Sequence, residues 1–168
     1  DSQIKEVLSL KSRFQWVSYI ISLLIPILRC MFVSLCILIG LTLSDVNISF
    51  KQILRIVLIS EFVFITYQLV RFILLLNINI NSIETIQYFW PLSLLTFVDP
   101  NTMSVVNYPL QVINISQIVY LFALAFGLTK LLKYNFFRNL KIVFSSYGTG
   151  LILWIAIVVF AQLYLLNG

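Results

Sequence analysis

The sequence contains no histidine. Histidine-ligated metal sites and the commonest general base of catalytic triads are therefore excluded. Charge is nearly as scarce: 10% of the 168 residues are charged against 61% hydrophobic, and the mean hydropathy is +1.02. Too few polar side chains remain to cover a soluble globule, so the chain belongs in a bilayer. There are two cysteines, Cys30 and Cys36, both inside an apolar run where a thiol packs as a small hydrophobe, and no disulfide framework is implied. A Gly-rich phosphate loop, metalloprotease spacing and a nucleophile elbow are also missing. The expectation is a protein that is not an enzyme, with no catalytic residue, cofactor or metal. No signal-peptide pattern follows Asp1, and further sequence is expected upstream.

What is present is a set of long apolar runs. Crossing about 30 Å of hydrocarbon takes roughly 20 helical residues. Four stretches meet that length, near 17–43, 50–76, 112–129 and 142–166, with Pro26 an available kink in the first. Residues 1–16 read as an amphipathic interfacial segment capped at Asp1 or Ser2, with Ile4, Val7, Leu8 and Leu10 to one side and Trp16 near the junction. The loop 77–111 holds an apolar piece, Tyr88 to Val98, too short to span and interrupted by Pro91. It is expected to be interfacial or re-entrant, with a turn-rich stretch from Asp99 through Pro109 closing the loop. The predicted fold is thus an all-α integral membrane bundle of about four transmembrane helices, 17–168, preceded by the amphipathic segment.

Eleven Lys and Arg against six Asp and Glu give a net charge of +5. These cations flank the apolar runs, so they mark topology and not a nucleic-acid partner. Lys130, Lys133, Arg138 and Lys141 fill the short connection between the last two crossings and assign it to the cytoplasm, where they can also meet lipid headgroups. The turn at residues 44–49 is then cytoplasmic, and the long loop and both chain ends are external. A rival topology makes 88–98 a fifth crossing and has the better charge balance; its weakness is that short span.

Arg29 and Glu61 are the charges furthest from any interface, and an unpaired charge there costs several kcal/mol. Lying within about one helical turn of the same depth, they are expected to pair. A structural ion pair is the favoured reading; a relay or ligand counter-ion, with Gln68 on the face of Glu61, is the alternative. Ser18, Ser22, Arg29, Cys36 and Gly40 share one helical face, small or polar as membrane helix interfaces are, and Ala123 with Gly127 form a small-xxx-small pair. Arg71, near a helix end, reads as a snorkelling anchor. The acceptor patterns at Asn47 and Asn114 read as chance matches, one in the cytoplasmic turn and one beside the membrane.

The run Trp90-Pro91-Leu92-Ser93-Leu94, then Tyr108-Pro109-Leu110 leading to Asn114-Ile115, then Ala125-Phe126-Gly127-Leu128 and Ser146-Tyr147-Gly148, resembles the bacterial branch of the Yip family of polytopic membrane proteins. Residues 44–50 followed by a long helix also look like that family's middle. The resemblance covers about 43–160. It implies five helices with a cytoplasmic N-terminus and an external C-terminus, of which this chain supplies the last four, and it brings no catalytic residue. The function expected is a non-enzymatic scaffold or accessory subunit in a bacterial inner membrane, homo- or hetero-oligomeric, with other membrane subunits and lipids as partners. Trp90, Pro91 and Tyr108 are the expected docking residues. A transporter or channel component using Arg29, Glu61 and Gln68 is the runner-up, and a lipid-binding protein the third reading.

Overall fold

The computed structural model describes the backbone of residues 2–77, 89–97 and 104–167, with side chains described at 16, 19–77, 89–96 and 107–164. α1 spans Ser2–Thr42, α2 Phe50–Ser60 and α3 Phe62–Leu76. A single 3₁₀ turn, Leu94–Phe97, precedes α4, Ser104–Val112. α5 is Ile115–Leu132, α6 is Phe136–Val143, and a π-helical turn at Phe144–Gly148 leads into α7, Thr149–Asn167. Among the described residues, four helical runs are long and apolar enough to cross a membrane: Tyr19–Thr42, Phe50–Leu76, Ile115–Leu132 and Phe136–Tyr164.

Backbone chemistry explains where these runs stop. After α1 the chain reverses at Asp45, whose positive φ of 57° lets the Val46 N–H reach back to the Leu41 carbonyl at 3.0 Å. α2 then starts at Ser49, where the Gln52 carboxamide oxygen accepts from the Ser49 hydroxyl at 3.0 Å and from its N–H at 3.4 Å. α5 starts on Asn114, whose side chain accepts from the Gln117 N–H at 2.7 Å, and ends on Lys133 at φ 56°. The Asn114 side chain, within an acceptor pattern for glycosylation, is thus engaged as a helix cap.

α1 runs unbroken from Ser2 to Thr42, so residues 2–16 continue the helix of the first crossing. Two expectations need correction. The stretch closing the long loop is not all turn: α4 is helical with Pro109 inside it, held to α7 where Trp154 Nε1 donates to Tyr108 Oη at 2.9 Å. The fourth crossing starts at Phe136, six residues before the apolar run suggested, because the amphipathic α6 belongs to it. Asp1, Tyr88, Val98 and the stretch 99–103 lie outside the described residues. Residues 89–97 hold turns and the 3₁₀ turn, tied to the start of α5 by Leu94 N–H to the Ile113 carbonyl and Ile115 N–H to the Leu92 carbonyl.

The core occupies the half of the bundle near the two short turns, 43–49 and 133–135. Val33, Ile37 and Leu41 on α1 meet Ile53 and Val57 on α2, with Tyr120, Leu124 and Leu128 on α5. Each set repeats every four residues, so each helix gives one stripe to the centre. In lipid that stripe gains from close packing more than from exclusion of water.

Candidate functional site: a polar cluster at mid-membrane

Arg29, Glu61, Tyr120 and Tyr147 come from four different crossings. Arg29 lies 13 residues before the end of α1 and Glu61 lies 11 after the start of α2; Tyr120 is 12 before the end of α5 and Tyr147 is 11 after the start of α6. At 1.5 Å per residue all four sit about 17–20 Å from the same end of the bundle. Arg29 Nε is 3.9 Å from Glu61 Oε1, with the two side chains 34% and 16% exposed. Tyr120 Oη donates to that same carboxylate oxygen at 2.9 Å, and Gln117 Nε2 donates to Tyr147 Oη at 2.8 Å. The Arg29 guanidinium lies 3.6 Å from the centroid of Phe64 and 5.3 Å from that of Tyr120. Tyr120 in turn packs edge-on against Tyr147, centroids 5.8 Å apart.

Helical geometry departs from the ideal at two of these positions. Glu61 is the junction of α2 and α3, though its N–H still donates to the Val57 carbonyl at 3.0 Å. Tyr147 lies in the π turn, where one extra residue rotates the helix and re-aims its side chains. Charge and ring are satisfied together: a half-buried carboxylate gains a cation and a hydroxyl, and the guanidinium gains an aromatic face. Gln68 is exposed and takes no part in these bonds, so the structure does not bring it to the cluster. The partners the sequence reading missed are Tyr120, Tyr147 and Gln117. Gln117, a polar side chain inside a crossing, was the available signal.

Small residues set the helix approaches. A Cβ on Gly127 would overlap Ile56 of α2, and one on Gly40 would come within 2.5 Å of Ser146 Cβ. Cys36 lies against Gly150, where an added Cβ would sit 2.8 Å from its sulfur. Ala123 is half-buried one turn before Gly127. Ser22 is a correction: it is exposed, as is every residue from 19 to 28, because the face it shares with Cys36 and Gly40 engages the bundle only from Arg29 onward. The side chain of Ser18 is outside the described residues.

At the far end of the second crossing, Arg71 Nε donates to the Phe89 carbonyl at 2.9 Å and its guanidinium lies 3.9 Å from the Trp90 ring centroid. Tyr67 Oη donates to the Pro91 carbonyl at 2.8 Å. The loop residues Trp90 and Pro91 are half-buried through these contacts, as is Tyr108 through Trp154. Of the cations in the connection, Lys130 lies over Phe126 and Arg138 over Tyr134; Lys133 and Lys141 are exposed. Among the described residues no three Cys, Asp or Glu side chains converge as a metal site would need.

Fold and site together define a class: a multi-pass integral membrane protein in which the four candidate crossings among the described residues are joined through one polar cluster. Compared with protein-family models, with curated proteins and with solved structures, the chain matches none.

Proposed function

We propose that this protein is a non-enzymatic scaffold or accessory subunit of a membrane complex, Yip-like, resident in a bacterial inner membrane. The observation that carries this reading is the closure of the cluster on itself. The one deep carboxylate among the described residues already accepts from Tyr120 beside Arg29, so the cluster acts as a brace between crossings. A relay would need groups free to exchange partners. Binding surface lies elsewhere: the ten exposed residues 19–28 of α1, and the loop around Trp90, Pro91 and Tyr108.

The orientation follows from charge. Lys51, Arg55, Lys130, Lys133, Arg138 and Lys141 all lie near the end of the bundle that carries the two short turns, which is assigned to the cytoplasm. The loop 77–111 is then external, in keeping with the external C-terminus that the Yip resemblance implies. Purification in mild detergent should bring down a membrane partner, and Trp90→Ala with Tyr108→Ala should weaken that association while the chain stays inserted. Solute or ion flux by the isolated chain in liposomes, lost on Glu61→Gln, would replace this reading with the transport one.

A further inference from the structure

α5 and α6 form a hairpin closed by the three residues 133–135, and an open groove of about 860 Å³ runs along its outer side. Ile118, Leu121 and Phe122 of α5 line it, with Phe137 and Leu140 of α6 and Phe144 at the start of the π turn. Its volume is that of a small-ligand site, and its walls are almost wholly hydrocarbon. The exceptions are Arg138 and Lys141, which also line it.

The groove is deep enough to take an acyl chain through one leaflet. Ile118 lies 14 residues before Leu132, about 21 Å of helix, against roughly 15 Å for half of a 30 Å hydrocarbon core. The two cations belong to the shallow end. They are three residues apart on α6, flanked by the exposed rings of Phe137 and Phe144 on the same helical face, seven residues from each other. Arg138 is steadied over Tyr134 at 4.3 Å, and Lys141 makes no ion pair or hydrogen bond among the described residues. Phe136 stacks on Phe122 at 6.2 Å and nearly parallel, which holds the two walls in place.

A lipid without net charge would satisfy the walls but bring the two cations either no phosphate or one already balanced by its own headgroup cation, whereas a free phosphate would satisfy the cations and leave the walls empty. We propose that this groove holds one acyl chain of an anionic phospholipid, with the headgroup phosphate on Arg138 and Lys141. The occupant needs both parts: the chain fills the apolar length and the anion meets the cationic mouth. The site goes beyond the scaffold reading and does not depend on it.

The test uses the full purified chain, delipidated in mild detergent and titrated with phosphatidylglycerol or phosphatidylcholine, with bound lipid counted by native mass spectrometry. One phosphatidylglycerol should be retained at least fivefold more tightly than phosphatidylcholine, and glycerol phosphate should not displace it. Arg138→Gln with Lys141→Gln should abolish that preference, whereas Lys130→Gln with Lys133→Gln should keep it. Leu121→Trp should lower retention of both lipids with an unchanged helical circular dichroism spectrum. Equal retention of the two lipids, or displacement by glycerol phosphate, would overturn the proposal. So would a preference that survives in the Arg138/Lys141 variant, or a Leu121→Trp protein that keeps its spectrum and its lipid.

Discussion

Arg29 and Arg71 both belong to membrane crossings, and both lay the guanidinium against an aromatic ring, 3.6 Å from Phe64 and 3.9 Å from Trp90. Their counterparts differ. Arg29, at mid-depth, is met by a carboxylate from another crossing and lies within the group that joins four helices. Arg71, five residues from the end of α3, is met by the Phe89 backbone carbonyl of a loop that folds back onto it. Depth accounts for the difference. Near the surface a cation can be solvated by carbonyls and headgroup water, while deep in hydrocarbon, where water is scarce, a partner charge does most to compensate it. The deep arginine therefore ties helices together, and the shallow one ties a loop to the helix ends.

The largest expected effect breaks the deep site. Glu61→Ala strands Arg29 and removes the acceptor of Tyr120, so it should destabilise the bundle by about 3–5 kcal/mol, read as a lowered unfolding midpoint in detergent. Combining it with Arg29→Leu should return part of that loss, and strictly additive losses would show that the two are not coupled. At the shallow site, Arg71→Ala should cost about 1.5–3 kcal/mol for the charged hydrogen bond, felt locally. Proteolysis or hydrogen exchange should register release of residues 89–97 with the crossings still protected; uniform loss of protection would erase the distinction between the two arginines. The smallest effect is Tyr67→Phe, which removes one hydroxyl from the Pro91 carbonyl, about 0.5–1.5 kcal/mol. It should loosen the same loop and leave the unfolding midpoint of the crossings almost unmoved.

The crossings were legible because hydropathy over 20 residues is a strong signal: 50–76 coincides with α2 plus α3, and 17–43 with the apolar part of α1. It failed where charge enters a helix. Lys130 continues α5 past the expected end at 129, and Arg138 with Lys141 hid the first turns of the fourth crossing. Equal depth brought Arg29 and Glu61 together on paper, but not Tyr120 or Tyr147. A tyrosine in an apolar run reads as packing, and nothing in Phe144–Gly148 announces a π turn. The small-residue pattern identified Cys36, Gly40 and Gly127 as approach points and overreached at Ser22, because spacing defines a face without saying how far along it a neighbour extends. Arg71 was read as an anchor reaching for headgroups; its bond to a loop carbonyl needs the loop's path, which no local pattern supplies.

The order of residues along the chain gives the deep cluster a history. Arg29 is made before Glu61, and Tyr120 follows Glu61 by 59 residues. At synthesis rates of about 5–20 residues per second that gap lasts about 3–12 s. Throughout it, the hairpin of α1 with α2 and α3 has Arg29, and not yet Tyr120, to meet its acid. The ion pair is thus the provisional clasp that lets two crossings wait in the bilayer, and Tyr120 and Tyr147 are late arrivals that close a junction already formed.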